Sequence, residues 1–408
     1  MIEFNPFLPE FRANPYPFFQ QLREQDPVHQ TASFTGAWVL TRYADVKAIL
    51  SDHRVQVDNL PDRLGQKAAY LESGQNFAHL QQTIGAWLFF QNPPDHTHFR
   101  NLVSNYFASA AVEQLRTQIQ TIVDQLIANV LDQGRMDIMS DLAAPLPTLV
   151  ISTILDIPSE DQTQLTQWSY TLFRVFDQPI SLRGYGRMEE AAQAFKGYFQ
   201  TLIEQRKKSP GSDLLSQLLR TQTHSNVLSE EDFLGFCLML FSVGQETTEN
   251  MIGNSMLALL NHPQQLKQLK QEPTLIKKGV EELLRYDSPV QFLARMATSD
   301  LDIGGKTIRA GERIFLALGA ANRDPHQFSE PDRLHFLRHQ GQPIPFGSGI
   351  HYCLGAALAR IQGQIAINTM IQKLLHLKLA PEPLKWRKNL VLRGLKSLPV
   401  TFEASQST

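Results

Sequence analysis

The stretch Phe346-Gly347-Ser348-Gly349-Ile350-His351-Tyr352-Cys353-Leu354-Gly355 decides how this chain is read. It holds one of only two cysteines in 408 residues, framed by three glycines. A helix-like run follows at once, Ala356-Ala357-Leu358-Ala359-Arg360-Ile361. A thiol just before a helix start feels the positive end of the helix dipole, and backbone N–H groups there can point at its sulfur. Both effects favour the thiolate, which is the form that ligates metals. Glycine lets the backbone turn sharply and approach a flat ligand closely. By residue type alone, a lone cysteine is more often a small buried hydrophobe. That reading suits the other one, Cys237, which lies in an apolar helical run without turn glycines.

The bulk properties narrow the class. A hydrophobic share of 42% is enough for a sizeable core, and a net charge of −2 leaves no basic excess for nucleic acid. No polybasic tail points to a membrane surface. Two cysteines cannot build a disulfide framework, which fits a reducing cytoplasm. The N-terminal residues Met1-Ile2-Glu3-Phe4-Asn5-Pro6 read as neither signal peptide nor anchor. The longest interior apolar run, Phe236 to Phe241, is far short of the ~20 residues of a spanning helix. A cytoplasmic protein without a membrane anchor is expected.

Helical periodicity dominates the chain. Val112, Leu115, Ile119, Ile122, Val123 and Leu126 recur at helical spacing and predict a helix over 109–132. Helices are also expected over 43–50, 141–156, 160–176 and 186–207, with a loop at Asp177–Ser181. The longest candidate runs from Glu230 to Asn261, capped by Ser229 with Asp232 three residues on, and ended by His262-Pro263. Strand-like segments are Ala37–Thr41, Leu301–Ile303, Thr307–Ile308 and Arg313–Leu318, with a turn at Gly304-Gly305. Mostly helix with small segregated β parts is a mainly α, α+β arrangement. Residues 1–408 read as one large domain.

Chemistry also concentrates on the long helix, at Ser242-Val243-Gly244-Gln245-Glu246-Thr247-Thr248. Glycine weakens a helix interior, threonine can bend it by bonding a carbonyl one turn back, and a carboxylate in an apolar helix is costly unless paired. A kinked core helix with a solvated Glu246 is the plain alternative. Elsewhere, Glu282-Leu283-Leu284-Arg285 places opposite charges at i, i+3. In Pro93-Pro94-Asp95-His96-Thr97-His98-Phe99-Arg100, His96 and Arg100 are i, i+4 and would share one face if the stretch is helical.

Taken together these strings resemble the cytochrome P450 family, and the resemblance runs along nearly the whole chain. Phe346-x-x-Gly349-x-His351-x-Cys353-x-Gly355 is similar to its haem-binding loop. The resemblance implies haem b (iron protoporphyrin IX), with Cys353 as the axial thiolate that favours O–O cleavage. It places Phe346 against the sulfur side, with Gly349, Gly355 and Gly244 lining the cofactor. His96, Arg100, Arg295 and His351 are implied partners of the haem propionates. Thr247 is implied to hydrogen-bond the oxygen being activated or its water, and Glu246 to feed protons from solvent. Val243 stands where the family usually has alanine or glycine, which narrows the space beside the haem. Glu282 and Arg285, with Arg333 as the later arginine, are implied to form a structural ion network.

The implied activity is a soluble monooxygenase that inserts one atom of O2 into a lipophilic small molecule. Substrate contacts are expected within Phe77–Phe90, at Trp87 in particular, and at Met239, Ser242, Val243, Val290, Gln291, Phe292 and Leu293, with Gln291 as a polar anchor. Two cysteines cannot hold an iron–sulfur cluster that needs four, so electrons are expected from a separate ferredoxin-type donor and its NAD(P)H-dependent reductase. Arg360 is expected to add positive charge to the docking surface. Peroxide-driven oxidation or oxidative coupling on the same fold is the alternative. A haem sensor or carrier would not need the Glu246-Thr247 pair.

Overall fold

The computed structural model describes residues 4–34, 36–64, 77–177, 180–225 and 228–404. The chain forms a mainly helical α+β arrangement in two compact units. The first comprises Met1–Gln56, Glu113–Pro147 and Thr247–Thr408; the second comprises Val57–Val112 and Thr148–Glu246.

The division falls inside one helix, Glu230–Leu260. Its start follows from local chemistry. Ser229 Oγ accepts the Asp232 N–H at 3.0 Å and donates to the Asp232 carboxylate at 2.6 Å. Glu230, Glu231 and Asp232 put negative charge on the first turn, where the helix dipole favours it. The helix stops before Pro263, which opens the next helix, Pro263–Gln271. Its 31 residues span roughly 46 Å at about 1.5 Å each. Phe236 to Phe241 are at most 4% exposed, so the middle is buried on all sides. Burial pushes the Cys237 thiol pKa up and keeps it protonated, a core residue.

Elsewhere the helices depart from the expected boundaries for local reasons. Segment 109–132 is three pieces, Ser109–Glu113, Arg116–Ala128 and Leu131–Gln133, the last stopped by left-handed Gly134. Apolar periodicity reports the buried face and is blind to breaks between pieces that share it. The 141–156 segment opens as a π turn, Met139–Ala143, before Pro145–Leu155. Residues 160–176 form Gln162–Phe173 and a 3₁₀ turn, Arg174–Phe176. The helix expected from 186 begins at Leu182 and runs to Lys208, because Ser181 Oγ caps it by accepting the Gly184 N–H at 3.1 Å. Of the adjoining loop, Gln178 and Pro179 lie outside the described residues.

In the first unit, strands Val28–Gln30, Trp38–Leu40, Arg313–Ala317 and Phe292–Ala297 are successive neighbours in one sheet. Trp38–Leu40 runs parallel to Arg313–Ala317, which is antiparallel to Phe292–Ala297. Alternate side chains leave opposite faces. Ile314 and Leu316 join a core with Trp38, Leu40 and Val46, while Phe315 and Ala317 join one with Phe4, Phe11, Phe19 and Phe292. The second core is built on edge-to-face rings, with Phe11–Phe19 centroids 5.3 Å apart and Phe19–Phe292 at 5.6 Å. The Leu301–Ile303 and Lys306–Ile308 strands pair through Gly304 and Gly305, whose φ values are +56° and +77°.

The helix Ile276–Tyr286 carries a buried ion pair. Arg285 binds Glu282 with two bonds, Nε to Oε2 at 2.7 Å and Nη2 to Oε1 at 2.9 Å. It also donates to the carbonyls of Asn322 (2.9 Å), Pro331 (2.8 Å) and Arg333 (3.2 Å). The later arginine on Glu282 is Arg338, whose Nε lies 3.2 Å from both carboxylate oxygens. Arg333 supplies only its backbone; its side chain is 64% exposed and pairs with Glu330. The expected membership of Arg333 is therefore corrected to Arg338. The reason is the path of the loop, which turns the Arg333 carbonyl inward and its side chain out.

Removing one partner of a buried pair costs about 3–5 kcal/mol, whereas an exposed substitution stays within about 0.5 kcal/mol. Arg285→Ala should therefore abolish or severely lower the yield of folded protein. Arg333→Ala should melt within about 2 °C of the parent, and Arg338→Ala should fall between them. Thermal melts of the three variants check this order.

Candidate functional site

Cys353 lies between a 3₁₀ turn, Gly349–His351, and the helix Ala356–Lys373. Its side chain is exposed. The loop is closed by its own backbone: the Cys353 N–H donates to Phe346 O at 3.0 Å and the Tyr352 N–H to Gly349 O at 3.1 Å. Gly347 and Gly349 turn it with φ of +74° and +73°. The close approach at Gly349 is to the chain itself, since a Cβ there would meet the Leu50 carbonyl oxygen at 2.6 Å. Its need for glycine is thus structural. A Cβ on Gly355 would meet nothing within 4 Å, so that position faces open space.

The cationic residues occupy two places. In the first unit, Arg295 sits in the strand Phe292–Ala297 with Nη1 donating to Ala294 O at 2.8 Å. It is buried, and no carboxylate pairs with it among the described residues. Burial alone pushes its pKa down to about 10. A guanidinium desolvated in this way lacks the anion that would normally accompany it. His351 lies half-buried in the turn beside Cys353. In the second unit, His96 and Arg100 are one turn apart on the helix Asp95–Val103. Burial, then the Arg100 charge, lowers the His96 pKa.

A haem brings an iron that takes a thiolate and two carboxylates that take cations. The donor set fits: an exposed cysteine at a helix start, and a buried arginine with no acid of its own among the described residues. Cys353, Arg295 and His351, all in the first unit, are residues available to hold it; His96 and Arg100 belong to the second.

On the long helix, Gly244 is exposed and a Cβ there would meet nothing within 4 Å. The neighbouring Gln245 and Glu246 are buried. The Gln245 amide donates to Phe241 O at 2.9 Å, within an unbroken helix. Thr247 and Val243, one turn apart, are half-buried. Ser242 is buried, with no hydrogen-bond partner for Oγ among the described residues. Met239 Sδ accepts the Leu88 N–H at 3.0 Å, which ties it to the segment carrying Trp87. Trp87 is fully buried and its Nε1 has no partner among the described residues. Its ring lies 5.4 Å from those of Phe89 and Phe173, and Phe176 lies 6.1 Å from Phe89 and Phe90. Phe173 and Phe176 did not stand out in the sequence. Their link to 87–90 is purely tertiary.

One expected substrate contact, Phe292, is placed in the core instead. Phe292 points into the aromatic core with Phe4 and Phe19, on the strand face opposite Arg295. Leu293, of the other parity, shares the Arg295 face, and its Cδ1 would lie 3.7 Å from a Cβ on Gly347 of the thiolate loop. Gln291 is buried, donates to Ser288 O at 2.7 Å and packs under Gly319, so its amide nitrogen serves the fold. Val290 is half-buried and bridges to Leu392. The expected docking charge of Arg360 is already engaged, by Glu281 and by the Tyr352 hydroxyl.

No helix among the described residues is long and apolar enough to cross a membrane. The chain is 39% identical to the biotin biosynthesis cytochrome P450 of Bacillus subtilis (strain 168), over 97% of this chain and 98% of that protein. It is 36% identical to the polyketide biosynthesis cytochrome P450 PksS of the same organism, over 98% of each. Among solved structures it superposes with a TM-score of 0.89 on P450BioI in complex with hexadec-9Z-enoic acid ligated acyl carrier protein, at 39% identity, covering 97% of this chain and 100% of that one. The family model described as Cytochrome P450 matches residues 39–396, across both units. With the family model matched over most of its length and relatives this similar along nearly all of it, this chain belongs to the cytochrome P450 family of haem-thiolate monooxygenases.

Proposed function

We propose that this protein binds haem b through Cys353 and inserts one oxygen atom from O2 into an apolar carbon of a lipophilic acyl or polyketide chain. The observation that carries the substrate class is the aromatic group of Trp87, Phe89, Phe90, Phe173 and Phe176, with Met239 tied to it. Rings of this kind offer apolar contact without fixing polar groups. The relative solved with a hexadec-9Z-enoic acid ligated acyl carrier protein makes a carrier-linked long acyl chain the first substrate to test.

When bound, haem supplies the reductive activation of O2, which sends one atom to substrate and the other to water. The chain supplies position and protons. Arg295, His351, His96 and Arg100 would pair with the propionates. Two protons must be delivered for water to leave, and an acid beside an alcohol suits that task. Glu246, buried in the long helix, would collect them from solvent, and Thr247 Oγ1 would hold the donating hydrogen bond. Val243 would narrow the approach above Gly244. Electrons would come from a cytoplasmic ferredoxin-type protein and its NAD(P)H-dependent reductase, because Cys237 is buried and only Cys353 remains for metal.

Turnover of an acyl-carrier-protein-linked C16 chain with ferredoxin, reductase and 18O2 should give product carrying one 18O. Turnover with peroxide but not with the reductive system would replace this reading by the peroxide-driven one. Thr247→Ala should keep electron consumption, divert it to hydrogen peroxide and lower product per electron several-fold. Unchanged coupling would remove Thr247 from the mechanism. Arg295→Met should lose haem to apomyoglobin roughly tenfold faster or more, from loss of one charge-assisted bond. Its melting should fall little, since the fold gives Arg295 no acid partner among the described residues.

A further inference from the structure

Arg360 lies on the second turn of the helix that follows Cys353. Its guanidinium is bound on three sides. Nε and Nη2 grip both oxygens of Glu281, the latter at 3.2 Å. Nη1 donates to the Tyr352 hydroxyl at 2.9 Å. The guanidinium carbon lies 4.5 Å from the centre of the Phe346 ring. Phe346 and Tyr352 in turn meet edge-on at 6.4 Å, and Phe346 O accepts the Cys353 N–H at 3.0 Å. One side chain therefore touches the residue that binds the cysteine's own N–H and the residue immediately before the cysteine. It ties both to Glu281, the neighbour of Glu282 in the buried ion network.

An isolated ion pair this exposed would contribute little. The arrangement here differs in kind, because a planar fork satisfies a carboxylate and a hydroxyl while its face covers an aromatic ring. Lysine cannot reproduce that. Burial works against the charge on Arg360, but the bonds to Glu281 and Tyr352 outweigh it and raise the pKa above the ordinary arginine value.

We propose that Arg360 is a positioning residue for the thiolate: it braces Phe346 and Tyr352, the start and end of the loop leading into Cys353, and so fixes the backbone that presents the sulfur to iron. This rests on Cys353 being the iron ligand. The expected consequence of loosening the brace is easier loss of thiolate ligation, with a shift in the potential of the ligated metal. A role in attracting an acidic electron donor predicts something else, namely slower, more salt-sensitive electron transfer with an unaltered haem centre.

The test uses haem-loaded wild type, Arg360→Gln, Arg360→Lys and Tyr352→Phe. For each, the reduced carbon monoxide complex is followed as its thiolate band decays to the shorter-wavelength band under mild urea, and the ferric/ferrous midpoint potential is titrated. Arg360→Gln should decay several-fold faster with a displaced potential. Arg360→Lys should not restore either value. Tyr352→Phe, which removes only a hydroxyl, should move both in the same direction by less, and keeps the test open if Arg360→Gln fails to load haem. Wild-type decay and potential in both Arg360→Gln and Tyr352→Phe would overturn the proposal, as would full rescue by lysine. A wild type that itself lacks the thiolate band would instead overturn the ligand assignment.

Discussion

The buried pair of Glu282 and Arg285 is the interaction on which the rest of the first unit depends. Their side chains are 5% and 0% exposed. Taking two charges out of water is expensive, and their mutual attraction offsets that cost only when the remaining donors are satisfied. Arg285 meets the condition by donating to the carbonyls of Asn322, Pro331 and Arg333, and Arg338 completes the coordination of Glu282. The irregular chain before the Cys353 loop is thereby pinned to one helix. That helix also presents Glu281, one residue earlier, to Arg360. Two adjacent acids thus serve different ends, one holding the approach to the loop and the other gripping Arg360, whose guanidinium touches Phe346 and Tyr352 of the loop.

A second constraint acts through backbone sterics. Left-handed Gly347 and Gly349 fold the loop back so that Phe346 O can take the Cys353 N–H, and Leu50 leaves no room for a side chain at Gly349. A cysteine held this way, just ahead of a helix, keeps its sulfur exposed at the positive end of the dipole. The chemistry of the long helix is of the opposite kind. There Gly244 is exposed, with half-buried Val243 and Thr247 near it, while Glu246 stays in the interior.

What the sequence revealed were features imposed by local geometry. The Cys353 loop was legible because its glycine spacing is dictated by turns, and the long helix because Ser229 and Pro263 mark its ends. The i, i+4 spacing of His96 and Arg100 was legible, but that it falls on a helix, Asp95–Val103, came only from the structure. What escaped were features set by tertiary phase. A strand read without its neighbours does not say which face is which, so Phe292 and Leu293 were both placed toward substrate although they leave opposite faces of the strand. Arg338 was missed because an ion pair closed through a loop has no spacing signature, and Arg333 next to the expected motif drew the assignment. The Ser181 cap was overlooked because two glycines in the first turns read as a loop. The brace at Arg360 joins positions 281, 346, 352 and 360, and only the folded chain brings them together.

The account stands or falls on the sulfur of Cys353. Its most direct test is the optical spectrum of the reduced protein under carbon monoxide, recorded for wild type and for Cys353→Ser. The account predicts a strongly red-shifted Soret band in wild type that is absent from the serine variant. A wild-type band at the shorter wavelength of neutral axial ligation, or a red-shifted band that survives in Cys353→Ser, would contradict it.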